Sequence, residues 1–237
     1  MADLIELKQR LATANLNLSG LELRQPGELR LNVPRQRLAG FADYLQDAAR
    51  ARPELILAED TRLEGGEFTL RYIFALEGAA EIILASCKVP VHDPTFPSLA
   101  TRWYLASRFE REIHDLFGLV PTGHPDLRRL PLHQFWPADY HPMLRDSIAR
   151  PDIYDDGEPY PFRRVEGEGV YEITVGPVHA GIIEPGHFRF SVEGETIINL
   201  ESRMYFVHKG VEKLFESASL DPALKLAERI SGDSSVA

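Results

Sequence analysis

His179, Glu184 and His187 fall within nine residues of one another, on the turn Gly176-Pro-Val-His-Ala-Gly-Ile-Ile-Glu-Pro-Gly186 and the residue that follows it. An imidazole and a carboxylate on one turn could relay protons, because burial and neighbouring charge move either group toward neutrality. The same side chains could equally satisfy the backbone groups of the turn that carries them. A second group with chemical content is Glu110, Arg111, Glu112 and Asp115, followed by the turn Gly123-His-Pro-Asp-Leu-Arg-Arg129 with His124, Asp126, Arg128 and Arg129. Arg108 to Glu112 and Arg111 to Asp115 are four apart and can pair along a helix. Such pairs are usually a solvated face worth little. Beyond them lie His133, Phe135, Trp136, Tyr140, His141 and Arg145. That irregular stretch would be costly to order unless it lay on another surface. Arginine and aromatic residues are enriched at the centres of protein interfaces.

These residues need elements to hold them. Leu4, Leu7, Leu11 and Ala14 recur at helical spacing. Two alternating runs around Gln25-Pro-Gly27 predict a hairpin. Pro34 predicts the start of a helix reaching about Arg52, with Leu38, Phe41, Leu45 and Ala48 on one face. Strands are expected over 55–58, 68–76 and 80–89, with turns at Gly65-Gly66 and Gly78. Ser98 is expected to cap a helix that runs to Phe117 and stops at Gly118. Leu99, Trp103, Ala106, Ile113 and Phe117 form its apolar stripe. The result is an α+β domain, helices on one mainly antiparallel sheet, over residues 1–148.

A linker is expected over 149–166, where Pro151, Pro159 and Pro161 oppose regular helix. Charge changes there too: residues 1–150 carry a net −2 and residues 151–237 a net −8. The second domain, 167–237, is read as strands over 170–175, 187–192 and 196–200. A helical region follows from Met204 to Phe215, and then a helix over 223–230 capped by Asp221-Pro222.

The protein has 237 residues, 44% of them apolar and 26% charged, the composition of a globular protein rather than a disordered one. It has no apolar run approaching the ~20 residues of a membrane span. The N-terminus lacks the uninterrupted apolar stretch of a signal peptide. A net charge of −10 argues against nucleic acid as a partner. Cys87 is the single cysteine, so an internal disulfide is excluded and a reducing compartment is expected. A cysteine-only metal or iron–sulfur site within the protein is excluded on the same ground. No glycine-rich dinucleotide fingerprint and no His-Glu-x-x-His pattern occurs. A metal-dependent hydrolase would need His124, His133 and His141 to converge from irregular loops.

Glu110-Arg-Glu-Ile-His-Asp-Leu-Phe-Gly118 followed by Gly123-His-Pro-Asp-Leu-Arg-Arg129 resembles the signature of the "30-kilodalton" hydrophilic subunit of respiratory complex I. The resemblance implies a cofactor-free scaffold. Glu110, Arg111, Glu112, Asp115, His124, Asp126, Arg128 and Arg129 would then serve subunit docking. The 176–190 segment with His208-Lys-Gly-Val-Glu-Lys-Leu214 is similar to the start of the large subunit of energy-converting nickel–iron hydrogenases, which is homologous to the "49-kilodalton" subunit of complex I. Hydrogenase-4 and formate hydrogenlyase belong to this branch, in which a domain like the 30-kilodalton subunit precedes the large subunit. The implied architecture is that α+β domain followed by the small β-sheet of a hydrogenase-like large subunit. His179, Glu184 and His187 would line a redox or quinone cavity.

Two departures bear on that. Complex I places a second histidine four residues after the first, where this sequence has Ile183. Hydrogenases carry a cysteine pair where Ser231 and Ser234 stand, and a hydroxyl is a poor nickel ligand beside thiolate. No metal is therefore expected here. The similarity runs only into the opening of a large subunit before Ala237, so the expectation is part of a fused subunit that is not a catalyst alone. Quinone and an iron–sulfur cluster of a partner subunit are the implied cofactors. The implied partners are an iron–sulfur small subunit and membrane subunits of the same complex, with membrane contact only through them. The implied place is the cytoplasmic face of the inner membrane. A stand-alone assembly protein without a redox role is the alternative reading.

Overall fold

The computed structural model describes residues 4–25, 27–148, 159–180 and 183–230. Two compact units emerge. The first holds the residues up to Arg129 and returns for Leu144–Asp146; the second holds Leu130–Met143 and the residues from Ser147 onward. Residues 130–143 thus pack with the second unit, although they precede the expected linker. Of that linker, 149–158 lies outside the described residues, and 159–167 is irregular.

In the first unit, α1 (Leu4–Thr13) buries Leu4, Leu7 and Leu11, the spacing of one helical face. A hairpin follows, β1 (Ser19–Gln25) and β2 (Glu28–Asn32). Pro34 is followed by a short 3₁₀ turn, Arg35–Arg37, and then by α2 (Leu38–Ala49). The helix stops short of the expected Arg52. Arg50 takes a left-handed conformation, φ 47°, and Pro53 disfavours helical backbone at Arg52. Arg52 instead opens β3 (Arg52–Glu59). One helical turn, α3 (Arg62–Gly65), leads into β4 (Glu67–Ala75), and β5 (Ile82–Pro90) follows.

The sheet order is β1-β2-β5-β4-β3, antiparallel throughout except for β2 beside β5. Alternation along β4 and β5 sends Leu70, Tyr72, Phe74, Ile83, Ala85, Cys87 and Val89 into the core. Phe41 of α2 meets Phe74 edge-on, ring centroids 5.9 Å apart.

Two short strands, β6 (Thr95–Pro97) and β7 (Val120–Thr122), pair in parallel and bracket α4 (Tyr104–Phe117). The expected start at Ser98 is corrected: 98–103 is a turn, and Trp103, extended at φ −126°, precedes the helix. The Ser98 oxygen still accepts the Ala100 N–H at 3.1 Å in the manner of a cap, but it closes this turn, and its hydroxyl donates to Glu110. Gly118 ends α4 as expected, at φ 72°, with its N–H donating to the His114 carbonyl.

The second unit carries a three-stranded antiparallel sheet in the order β10-β9-β8, from β8 (Val170–Val175), β9 (His187–Glu193) and β10 (Thr196–Arg203). The helical region expected from Met204 begins only at α5 (Val211–Glu216), because Tyr205 at φ 66° and Gly210 at φ 64° interrupt helical geometry. The last helix, α6 (Leu220–Ala227), starts earlier than expected. Ser219 is its N-cap, and Asp221-Pro222 lies inside the first turn, where proline is tolerated. Among the described residues, no helix is long and apolar enough to cross a membrane.

Candidate functional site

The turn between β8 and β9 is closed at its neck by a backbone contact. A Cβ on Gly176, φ 79°, would sit 2.0 Å from the Gly186 carbonyl oxygen and 3.3 Å from the His179 ring. Glycine is therefore required there by the close approach itself. His187 Nδ1 lies 3.1 Å from the Gly176 carbonyl oxygen. A carbonyl only accepts, so Nδ1 carries the proton, and in the neutral ring Nε2 is left as an acceptor. That Nε2 is buried without a hydrogen-bond partner among the described residues, and so is His179 Nε2. Phe162 packs on the His187 ring, centroids 5.1 Å apart. Both histidines thus lie against Gly176, each with one nitrogen shielded from water and uncommitted.

Glu184 faces a different neighbourhood. Its carboxylate is 3.5 Å from Lys209 Nζ, which also donates to the Ile230 carbonyl at 2.7 Å. Glu184, Met204, Tyr205, Val207, His208 and Lys209 line a pocket of about 240 Å³. His208 Nε2 is 3.2 Å from Glu212, and this contact holds the Glu212 carboxyl below the usual carboxylate range. Among the described residues no hydrogen bond joins Glu184 to His179 or His187. The expected trio is a histidine pair and a separately engaged carboxylate. His208 and Lys209 had no assigned part in the sequence reading. Their signal was the 208–214 motif, whose fold-back onto Glu184 only the structure shows.

The expected docking set divides in the same way. Glu110 is fully buried and points inward. It accepts the Ser98 hydroxyl at 2.5 Å and the Leu99 N–H at 2.7 Å. Arg111 is buried too, its Nε and Nη2 donating to the carbonyls of Arg128 and Arg129 at 2.6 and 2.9 Å. Asp115 is 1% exposed. A side chain with almost no surface cannot form a contact patch, so Glu110, Arg111 and Asp115 are corrected to buried residues, with Glu110 and Arg111 serving as internal braces. Glu112, His124, Asp126, Arg128 and Arg129 remain part-exposed.

His124 fastens their turn to α4. Its Nδ1 accepts the Asp126 N–H at 3.0 Å, so Nε2 carries the proton that reaches the Ser107 carbonyl at 3.2 Å. Burial holds the His124 ring below the ordinary imidazole range. Arg128 makes a two-point pair with Asp126, at 2.8 and 2.6 Å, and holds that carboxyl well below the usual range. A strap missed by the sequence reading closes the first unit. Arg145 donates its N–H to Asp60 Oδ2 at 2.9 Å, Arg62 Nη2 donates to the same atom at 2.7 Å, and Arg62 also reaches Asp146.

Metal chemistry has little support from these side chains. Burial pushes the Cys87 thiol up to about 12, where no thiolate is available as a ligand. The His133 ring is committed to the Met204 carbonyl at 2.8 Å. Among the described residues no group of three or more His, Cys, Asp or Glu could hold a metal ion. Ser231 and Ser234 lie outside the described residues.

Residues 31–152, just over half of the protein, match the family model described as the respiratory-chain NADH dehydrogenase 30 Kd subunit. The protein belongs to this family. Its α+β first unit, with α4 and the 123–129 turn, is the 30 Kd subunit domain. The similarity to curated relatives runs further. Hydrogenase-4 component G of Escherichia coli is 34% identical over 216 residues, 89% of this protein and 39% of that one. Formate hydrogenlyase subunit 5 of the same organism is 34% identical over 184 residues, 75% of this protein and 32% of the relative. The C/D subunit of NADH-quinone oxidoreductase from Bacteroides fragilis is 33% identical over 156 residues, 58% of this protein and 29% of the relative. The sequence therefore spans about two fifths or less of the length of these relatives.

Proposed function

We propose that the protein scaffolds a membrane-associated oxidoreductase complex of the complex I and hydrogenase-4 type and lends its 176–187 turn to the redox cavity. The observation that carries this reading is the pair of buried, uncommitted Nε2 atoms on His179 and His187. Buried polar atoms without a partner are uncommon, and a ligand, a water or a catalytic role is what usually accounts for them. A quinone head group presents carbonyl oxygens, or hydroxyls once reduced, and these match an imidazole that can accept or donate. His179 and Glu184 would then pass protons to or from the cavity, with Lys209 setting the charge beside Glu184. Docking falls to the part-exposed Glu112, His124, Asp126, Arg128 and Arg129, which face an iron–sulfur small subunit or membrane subunits of the same complex. The electron-carrying cluster belongs to such a partner. One buried, protonated thiol cannot hold it here. Contact with the membrane, at its cytoplasmic face, runs through the partners.

The test uses the assembled complex. His179→Ala and Glu184→Gln are expected to lower turnover by about 10²-fold or more, the scale of one positioned proton-transfer group, with subunit content unchanged. Unchanged turnover in both variants would remove the relay. Loss of subunits from the purified complex on Arg128→Glu with Arg129→Glu would support the docking surface, and full retention would refute it.

A further inference from the structure

We propose that Glu110 is a proton-operated latch that ties the 98–103 turn to α4. Its carboxyl is fully buried and sits at the junction of three elements. From the turn, it receives the Ser98 hydroxyl and the Leu99 N–H. From β4, it is approached by Tyr72, whose buried hydroxyl has no hydrogen-bond partner among the described residues; Cys87 of β5 lies beside that tyrosine. On α4 itself, Arg111 is turned to the Arg128 and Arg129 carbonyls, and His114 to the Leu119 carbonyl. Ser98 and Leu99 are the hydrogen-bond partners of Glu110 among the described residues, and neither is a cation.

This arrangement sets two opposing effects against each other. Two short hydrogen bonds favour the carboxylate. Removal from water without a counter-ion disfavours it, and an unpaired buried charge is strained until it takes up a proton. The second effect wins, and burial pushes the carboxyl up to about 7. Protonated, Glu110 can still accept the Leu99 N–H through Oε1 and donate its own proton to Ser98 Oγ. Ionised, it keeps both bonds but holds a buried charge with no cation among its hydrogen-bond partners. Water relieves that charge only if the turn lifts off the helix. The latch is a property of the isolated protein and does not rest on the docking or cavity reading.

The sign follows from linkage. The folded-state value lies above the ordinary 4.5, so the native protein binds the proton more tightly than the unfolded state does. Stability from this group is full below pH 4.5 and is lost as pH rises through about 7. The experiment follows the Glu110 carboxyl and the Leu99 amide of the full-length protein by NMR between pH 4.5 and 8.5. The expected result is a shared transition near neutrality, with Leu99 amide exchange rising above its intrinsic pH dependence beyond it. In parallel, the folding equilibrium constant of the parent protein, relative to Glu110→Gln, should fall by up to about tenfold per pH unit between pH 4.5 and about 7 and level off above it. A carboxyl that titrates in the ordinary range would overturn the latch. So would a Leu99 amide that ignores the transition.

Discussion

The α4 region and the β8–β9 turn carry comparable densities of polar groups and dispose of them differently. Around α4, most polar groups close on one another: Glu110 on Ser98 and Leu99, Arg111 on two carbonyls, His124 on Ser107 and Asp126, with the Tyr72 hydroxyl an exception among the described residues. Beneath them lies a packed core that includes Leu38, Phe41, Leu45, Tyr72 and Phe74, each fully buried. Around the β8–β9 turn, two buried imidazole nitrogens stay open. Apolar side chains that a finished domain would cover remain exposed: Tyr171, Ile173, Ile197, Leu200, Leu214 and Leu224. The first region turns its polar groups inward over a large core, whereas the second presents much of its small sheet's apolar surface outward. The contrast also shows that charge density in a sequence says little about exposure. In the charge-rich stretch 108–115, Glu110, Arg111 and Asp115 turn inward.

Breaking that contrast starts in the core. Phe41→Ala removes a fully buried ring from the first unit and should cost about 3–5 kcal/mol, read from urea unfolding. A loss below about 1 kcal/mol would mean that the module is not close-packed. Next in size is Glu110→Gln. At pH 8 it should stabilise the protein by up to about 3 kcal/mol, the worth of moving one carboxyl from 4.5 to about 7, and the gain should vanish near pH 4.5.

Asp60 has the opposite sign. Arg62 holds its carboxyl down to about 2, so its stabilisation is present above the ordinary 3.8 and is lost as pH falls through about 2. Asp60→Asn should therefore cost about 2 kcal/mol at pH 7 and little at pH 2, measured by thermal unfolding at the two pH values. The smallest effect is expected for Ile173→Ser on the exposed sheet. It should change stability by no more than about 0.5 kcal/mol, and a loss of several kcal/mol would place Ile173 in a core that its exposure does not show.

Much of the fold was legible because it rests on local rules. The leucines of α1, the Gln25-Pro-Gly27 hairpin, the alternation along β4, β5, β8 and β9, and the Gly118 stop are all set within a few residues. The errors occurred where a distant group overrode a local preference. Ser98 caps by type and does accept the Ala100 N–H, yet what it caps is a turn whose Ser98 hydroxyl and Leu99 N–H are tied to Glu110, twelve and eleven residues on, and the helix begins only at Tyr104. Met204–Lys209 has helix-forming residues, yet Tyr205 and Gly210 adopt left-handed backbone and the segment folds toward Glu184. The docking residues were recognisable as a motif. Which of them face outward was not, since a burial pattern with charges inside cannot be told from a solvated face by spacing.

The sequence by itself determined the family, the residue types available for chemistry and the single cysteine, because these depend on composition and motif. Only the tertiary structure decided that Glu110, Arg111 and Asp115 are buried, that His179 and His187 meet at Gly176 with one nitrogen each left open among the described residues, and that Glu184 lies with Lys209. The reason is physical. A hydrogen bond is satisfied by whichever group the packed backbone brings within about 3 Å, and that depends on contacts between residues far apart in sequence.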